Sequence, residues 1–204
     1  MLEFLVLTVG ISLSGVMAPG PITAATLATG AQRRHAGTLV ALGHALVEVP
    51  FIALLGIGAT GLLDSSAVRM GIGIAGGVAL LLMGTQLLLS LRKAGNDCEA
   101  SIQRHPFMIG VVLTAANPYF LLWWVTVGLT LVTQAMTFGI VVLALFVLVH
   151  WLCDLGWLEV LSVVGHKGSE LYGRRAQRAI SAVCGILLVG FGVKLLCQAG
   201  MGVI

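Results

Sequence analysis

Long runs of apolar residues restrict the folding of this chain more than any other feature of its sequence. Each run is long enough to cross the roughly 30 Å of hydrocarbon in a bilayer as one helix. Helices are expected because a backbone in lipid must satisfy its own hydrogen bonds, and the alternating pattern of barrel strands is missing. Cutting the sequence at its charged clusters gives six predicted segments, near residues 2–30, 37–62, 70–90, 106–132, 137–163 and 179–200.

The composition agrees with an all-α membrane protein of one domain. Charged residues make up 9% of the 204 residues and hydrophobic residues 58%, whereas soluble domains carry about 25% charged residues. We therefore predict a single transmembrane domain over residues 1–204. The net charge of +3 lies in short loops without a basic stripe or an aromatic platform, so no nucleic-acid partner is expected. The four cysteines form no CxxC pair, and no cofactor is expected.

Basic residues cluster in alternate loops, and this pattern predicts the orientation in the membrane. Arg69 falls on the sparsely charged side, and Lys194 is expected to extend its side chain from the sixth segment to the interface. Both termini are therefore predicted outside, with the N-terminus around Glu3 retained as part of the first span. The cytoplasmic loops are expected to hold the nine residues Arg33, Arg34, Arg92, Lys93, Arg104, Lys167, Arg174, Arg175 and Arg178.

Two helical segments in opposite halves of the chain resemble each other. Aligning GGVALLLMGTQLL of the third segment with CGILLVGFGVKLL of the sixth matches Gly77 with Gly185. Gly84 then matches Gly192 at the same offset of 108 residues. Such glycines permit close helix contact, either within the monomer or in a homodimer.

A pair of ionisable residues repeats in the same way. His44 and Glu48 of the second segment fall on His150 and Asp154 of the fifth at an offset of 106 residues. Each half contains three spans, an odd number, so the two halves would enter the membrane in opposite senses. The sequence predicts six transmembrane helices as an inverted three-plus-three repeat, with halves 1–93 and 104–200.

These four ionisable residues, the His–carboxylate quartet, are expected near the middle of the bilayer. The i, i+4 spacing places His44 with Glu48, and His150 with Asp154, on one helical face. A charged residue there costs about 2.5 to 3.5 kcal/mol on insertion scales unless it finds partners or water. Pro50 removes a backbone N–H next to the first pair. Three interpretations stay open: a substrate or proton pathway, interhelical hydrogen bonding, and a divalent metal site.

Proline also interrupts the first apolar segment. The stretch MAPGPITAATLATG places Pro19, Gly20 and Pro21 inside it, and an ordinary span needs no such break. We expect the carbonyl groups of Gly15 and Met17 to be freed there, because proline has no N–H to donate.

A second break is predicted in the fourth segment. In TAANPYFLLWW, Asn117 precedes Pro118, and the carbonyl group of Thr114 is expected to lose its partner. Interrupted helices in corresponding positions of two halves are typical of a transporter's binding site. The sequence therefore predicts a solute site at the two breaks.

At these residues the sequence resembles the LysE-type translocators, the group that includes lysine, threonine and homoserine exporters. The resemblance rests on Pro19-Gly20-Pro21, the following turn GAQRRHAG at residues 30–37, and Asn117-Pro118. It implies an exporter of amino acids or related small solutes in the cytoplasmic membrane, driven by ion or proton exchange. Relatives in the wider superfamily are linked to metal ions, so a divalent metal transporter is the alternative.

The working hypothesis is a secondary transporter whose two halves alternate access to the solute. The solute would bind at Pro19, Gly20, Pro21, Asn117 and Pro118, while His44, Glu48, His150 and Asp154 exchange protons or, in the alternative, bind the metal. An intramembrane enzyme is not expected, because no HExxH or GxSxG motif is present. A scaffold for protein partners would need larger loops than this chain has.

Overall fold

The computed structural model describes residues 2–18, 20–58, 66–93 and 105–201, and these residues form helices and short turns without any strand. A π-helical segment, Trp124–Gly128, joins two of the helices without a break. The α-helices are α1 (Leu2–Val16), α2 (Pro21–Gly30), α3 (Ala36–Gly56), α4 (Ser66–Lys93), α5 (Pro106–Ala115), α6 (Pro118–Trp123), α7 (Leu129–Thr137) and α8 (Ile140–Gly200).

Several of these helices are long and apolar enough to span a membrane. Within the described residues there are four, namely Ala36–Gly56, Tyr119–Thr137, Ile140–Leu171 and Arg178–Gly200. A fifth is obtained if α1 and α2, which meet at a bend of 80°, form one broken span. The apolar part of α4 and the helix α5 are shorter. The chain is thus an all-helical protein with multiple candidate spans, and the count of six stays a prediction.

The helices begin and bend where the sequence places proline and glycine. Helices α2, α5 and α6 each have proline at their first position, where the missing N–H costs no helical hydrogen bond. Between α7 and α8, Gly139 adopts a φ of 96°, a left-handed value that favours glycine. By contrast, α3 continues without interruption through Pro50.

The fifth and sixth predicted segments belong to one helical stretch, α8, that turns back on itself. A Cβ atom on Gly168 would lie 3.5 Å from Cδ1 of Ile180, whereas a straight helix would separate these residues by about 18 Å. We call Ile140–Leu171 the first limb of α8 and Arg178–Gly200 its second limb. The loop predicted between these two segments is therefore the part of α8 where the helix reverses. Its basic residues are Lys167, Arg174, Arg175 and Arg178.

Two larger clusters of buried apolar side chains form most of the core, and a small third cluster contains Val40, Ala41 and Leu158. The first joins α1, α3, α7 and the first limb of α8, and it includes Phe146 and Trp124. The second joins α2, α4, α5 and the second limb, and it includes Met83 and Leu188. Because Trp124 also contacts one of the buried carboxylates, the first cluster directly supports the polar residues described below.

Glycines let the helix backbones approach each other closely. A Cβ atom on Gly43 of α3 would collide with the carbonyl oxygen of Phe107, and one on Gly110 of α5 with that of Val40. Small residues allow such backbone contact between membrane helices. The α3–α5 contact brings α5 alongside the helix that carries His44.

The contact between α4 and the second limb of α8 is reciprocal. A Cβ atom on Gly77 would lie 3.1 Å from the carbonyl oxygen of Gly192, and one on Gly84 would lie 2.9 Å from that of Gly185. In the sequence alignment Gly77 corresponds to Gly185, and Gly84 corresponds to Gly192. Gly77 therefore packs against the counterpart of Gly84, and Gly84 packs against the counterpart of Gly77. A two-fold axis that relates the two helices produces this pattern.

Candidate functional site

The four ionisable side chains of the quartet lie together and are all buried. Oε1 of Glu48 is 3.0 Å from Nε2 of His44 and 3.3 Å from Nε2 of His150. Asp154 completes the group, with Oδ2 at 3.5 Å from His150 Nε2 and Oδ1 at 3.8 Å from His44 Nε2. Both histidines of the quartet thus contact both of its carboxylates.

Contacts within the quartet repeat the reciprocal pattern of the glycines. His44 approaches Asp154, the counterpart of Glu48, while Glu48 approaches His150, the counterpart of His44. The shorter distances are those between Glu48 and the two histidines. Helix α3 and the first limb of α8 are therefore joined through two crossed pairs, in addition to the local pair within each helix.

A hydroxyl group holds the far side of each imidazole. Thr114 Oγ1 lies 2.7 Å from Nδ1 of His44, and Ser12 Oγ lies 2.7 Å from Nδ1 of His150. Thr114 belongs to α5 and Ser12 to α1, the first helices of the two predicted halves. Each histidine is therefore oriented by the opposite half of the chain.

The hydrogen bonds of Thr114 define where a proton lies in the quartet. Its hydroxyl donates to the carbonyl oxygen of Gly110 at 2.6 Å, so it accepts from Nδ1–H of His44. A neutral imidazole with its hydrogen on Nδ1 would direct the lone pair of Nε2 at Glu48 Oε1, 3.0 Å away. Two acceptors at that distance repel, so a further proton lies between His44 and Glu48.

Aromatic rings surround the quartet. Trp124, the first residue of the π-helical segment, donates from Nε1 to Oε1 of Glu48 at 3.3 Å. The ring of His150 is stacked near those of Trp123 and Phe146, with centroids 5.4 and 6.2 Å away. The ring of Phe120 meets His44 edge-on at 5.6 Å. These rings exclude lipid and bulk water from one side of the quartet.

A cavity of about 500 Å³ adjoins the quartet and the two predicted breaks. Pro19 and the side chain of Pro118 lie outside the described part of the chain. The lining includes seven of the nine residues singled out from the sequence, namely Gly20, Pro21, His44, Glu48, Asn117, His150 and Asp154.

The backbone at the breaks is more completely hydrogen-bonded than the sequence suggested. The carbonyl oxygen of Gly15 accepts from the N–H of Ala18 at 3.1 Å, and that of Thr114 accepts from the N–H of Asn117 at 3.2 Å. The expectation that proline would free these two carbonyls was wrong, because short turns close over them. Oδ1 of Asn117 in turn accepts from the N–H of Tyr119 and caps α6.

Several site residues were missed in the sequence. Ser12 and Thr114 were not distinguishable from other hydroxyls in apolar helices, although Thr114 lies three residues before Asn117. Lys194 was expected to reach towards the interface, whereas the structure places it in the cavity lining. Half of the remaining additions to the lining are aromatic or polar, namely Tyr119, Phe120, Trp123, Trp124, Phe191 and Gln198.

A second polar cluster joins α3 to the first limb of α8 beside the cavity. Oε2 of Glu159 accepts from the backbone N–H and from the hydroxyl of Thr38, both at 2.9 Å. Oε1 of Glu159 is paired with His35. The neighbouring residue, Leu158, lines the cavity, and its carbonyl oxygen lies against Gly37. Glu159 thus accepts a hydrogen bond from the first turn of α3, where the backbone N–H groups have no partners within the helix.

Ser162 extends this cluster by one helical turn. Its hydroxyl donates to the carbonyl oxygens of Arg34 and Arg33, at 2.8 and 3.2 Å. Its backbone is packed so closely against Gly30 that a Cβ atom there would collide with it. We call these contacts, centred on Glu159 and Ser162, the α3–α8 seal.

Comparison with known proteins identifies a family. The sequence profile of the LysE type translocators matches residues 13–199. The chain belongs to the LysE type translocator family. No curated protein and no solved structure matches it. As a translocator with several apolar spans, it is a multi-pass membrane protein that acts on small solutes in a lipid environment, and its family consists of transporters rather than enzymes.

The translocator's quartet also satisfies the spacing requirement for a metal ion. One ligand atom each from His44, Glu48 and Asp154 lies within 4.8 Å of the other two. Imidazole and carboxylate ligands suit divalent transition metals. Two of these groups, however, are already engaged in hydrogen bonds, Glu48 with Trp124 and His44 with Thr114.

The hydroxyl that orients His44 provides a first prediction. Replacing Thr114 with Val keeps the shape but leaves the buried Nδ1–H of His44 without an acceptor. We expect a loss of about 1 to 3 kcal/mol in the free energy of unfolding in detergent. Thr133→Val is the control, because that exposed hydroxyl donates to the carbonyl of Leu129 in its own helix. Equal effects of both substitutions would show that Thr114 does not hold the imidazole.

Proposed function

We propose that this translocator is a secondary active exporter of amino acids or related small solutes across the cytoplasmic membrane, coupled to proton exchange. The observation that supports it best is the cavity of about 500 Å³ that both helix breaks and the buried quartet line. The solute and the proton would then bind in the same cavity. Membership of the LysE type family supports small-solute transport, while the solute class and the coupling ion are parts of the proposal.

The proposed architecture is the inverted repeat of six spans with both termini outside. The broken pair α1–α2 and the apolar part of α4 would supply the two spans beyond the four of full length, and α5 would extend the span Tyr119–Thr137. The reciprocal contacts of the glycines and of the quartet support two halves related by an axis in the membrane plane. Association of two such molecules into a homodimer stays a prediction.

Solute would bind where the helices are interrupted. Gly20 and Pro21 at the start of α2 and Asn117 at the start of α6 all line the cavity. The Oδ1 atom of Asn117 caps α6, so its Nδ2 group is the part available to a solute. Pro19 and Pro118 belong to the same two breaks in the sequence. Proline has no N–H and supplies no side-chain donor, so we assign both residues a role in interrupting the helices rather than in binding the solute through hydrogen bonds.

Proton exchange is assigned to the quartet. The crossed contacts bring the two imidazoles and the two carboxylates together, so a proton would pass between them without leaving the cluster. The four residues are His44, Glu48, His150 and Asp154. Interhelical hydrogen bonding alone would not need two carboxylates beside a cavity. Family membership favours an amino-acid solute over a divalent metal.

Alternating access requires a contact that opens and closes, and we assign this role to the α3–α8 seal. The seal lies next to Leu158 of the cavity lining and, by the distribution of basic residues, at the cytoplasmic end. Its hydrogen bonds are made by two side chains of α8, Glu159 and Ser162, to α3 and the turn before it. Separating α3 from α8 there would connect the cavity to the cytoplasm.

The coupling role of the quartet can be tested by removing one charge. In proteoliposomes, we expect Asp154→Asn to abolish accumulation driven by a pH gradient while leaving solute exchange without a gradient measurable. Cys153→Ser, a conservative change one residue away, should keep both activities. Undiminished pH-driven accumulation by Asp154→Asn would exclude the coupling role.

The seal can be tested by its accessibility. In a variant whose only cysteine replaces Leu158, Glu159→Gln should raise the rate of labelling by a membrane-impermeant maleimide about tenfold, because hydrogen bonds to a charged group are lost. Glu170→Gln is the control, since Glu170 pairs with His166 of its own helix at 3.2 Å. Labelling that is unchanged by Glu159→Gln, or raised equally by both, would contradict the gating role.

A further inference from the structure

The second limb of α8 presents one face to the cavity, and that face carries a lysine. The lining residues from this limb are Phe191, Lys194, Leu195 and Gln198. Their spacing of three and four residues is that of a single helical face. Lys194 therefore lies on the cavity side of the limb, and a lysine that served only to reach the membrane interface would not need this position.

Lys194 is chemically distinct within the cavity. Among the described lining residues it is the one Lys or Arg. Within the described part of the chain it forms no ion pair. The two lining carboxylates, Glu48 and Asp154, contact the histidines instead. The ammonium group of Lys194 is consequently available to an anionic group of a bound solute.

The carboxylates retain unused acceptors. Oε2 of Glu48 and Oδ2 of Asp154 are buried and find no hydrogen-bond donor among the described residues. The 3.5 Å contact between Asp154 Oδ2 and His150 Nε2 is an ion-pair contact without hydrogen-bond geometry. Buried acceptors of this kind are costly unless a ligand or water satisfies them. A solute ammonium group offers the matching donors.

We propose that the cavity binds a zwitterion in one orientation, with its carboxylate at Lys194 and its ammonium group at Glu48 and Asp154. This rests on the proposed function, and it makes Lys194 the residue that selects solutes with an anionic group. The aromatic side chains of Phe120 and Trp123 lie in the same lining and face the apolar part of the solute. A solute ammonium group then takes the place of a proton at the carboxylates, which links binding to proton release.

The experiment compares amino acids with analogues that lack the carboxylate. Purified full-length protein is reconstituted in vesicles of neutral lipid, and transport of L-lysine, L-threonine and L-leucine is measured beside that of their carboxamides. Wild type should prefer at least one amino acid over its amide by about tenfold or more. Lys194→Met should remove this preference, and Lys194→Arg should keep most of it. Lys167→Met is the control, an exposed lysine outside the cavity lining.

The outcomes separate this inference from the proposed function. Wild type that moves none of the solutes would overturn both. Wild type that transports amino acids, with an unchanged preference in Lys194→Met, would overturn the role of Lys194 and leave the exporter standing. If Lys194→Met reduces transport only in vesicles that contain anionic lipid, Lys194 binds a lipid phosphate instead, and the inference is wrong.

Discussion

A carboxylate in the middle of apolar helices must be surrounded by donors from its own protein, and Glu48 meets this requirement through three of them. One oxygen of Glu48 lies near His44 of the same helix, His150 of α8 and Trp124 of the π-helical segment. Removing either histidine would leave the buried charge only partly compensated, at a cost of several kcal/mol. The relative positions of α3, α8 and the aromatic segment therefore depend on this one group.

The glycines make that network geometrically possible. Backbone contact between α3 and α5 at Gly43 and Gly110 brings Thr114 within hydrogen-bond distance of His44. A larger side chain at either glycine would push α5 away and leave the imidazole without its orienting hydroxyl. The α4 contact with the second limb at Gly77 similarly supports the limb that carries Lys194 into the cavity lining. Packing and chemistry are thus connected through positions that carry no side chain.

Part of this arrangement could be predicted from the sequence, and part could not. The spacing of His44 and Glu48 indicates a shared face, and their repetition after 106 residues places a second pair in the other half, so the quartet followed from local patterns. Hydrogen-bond partners across helices depend on rotation and tilt, which local patterns do not contain. For this reason Thr114 was missed, and the side of α8 on which Lys194 lies was not evident. The carbonyl of Gly15 was wrongly expected to be free because a short turn, closed by the N–H of Ala18, replaces the helical hydrogen bond.

The most direct test of the account is a measurement of protons released when solute binds. Purified protein in weakly buffered solution with a pH-sensitive dye is mixed with an amino acid that it transports, and proton release is compared with bound solute. We expect release in proportion to binding in wild type, and little or none in Glu48→Gln at equal occupancy. Solute binding to wild type without any proton release, at every pH at which the protein transports, would contradict the account.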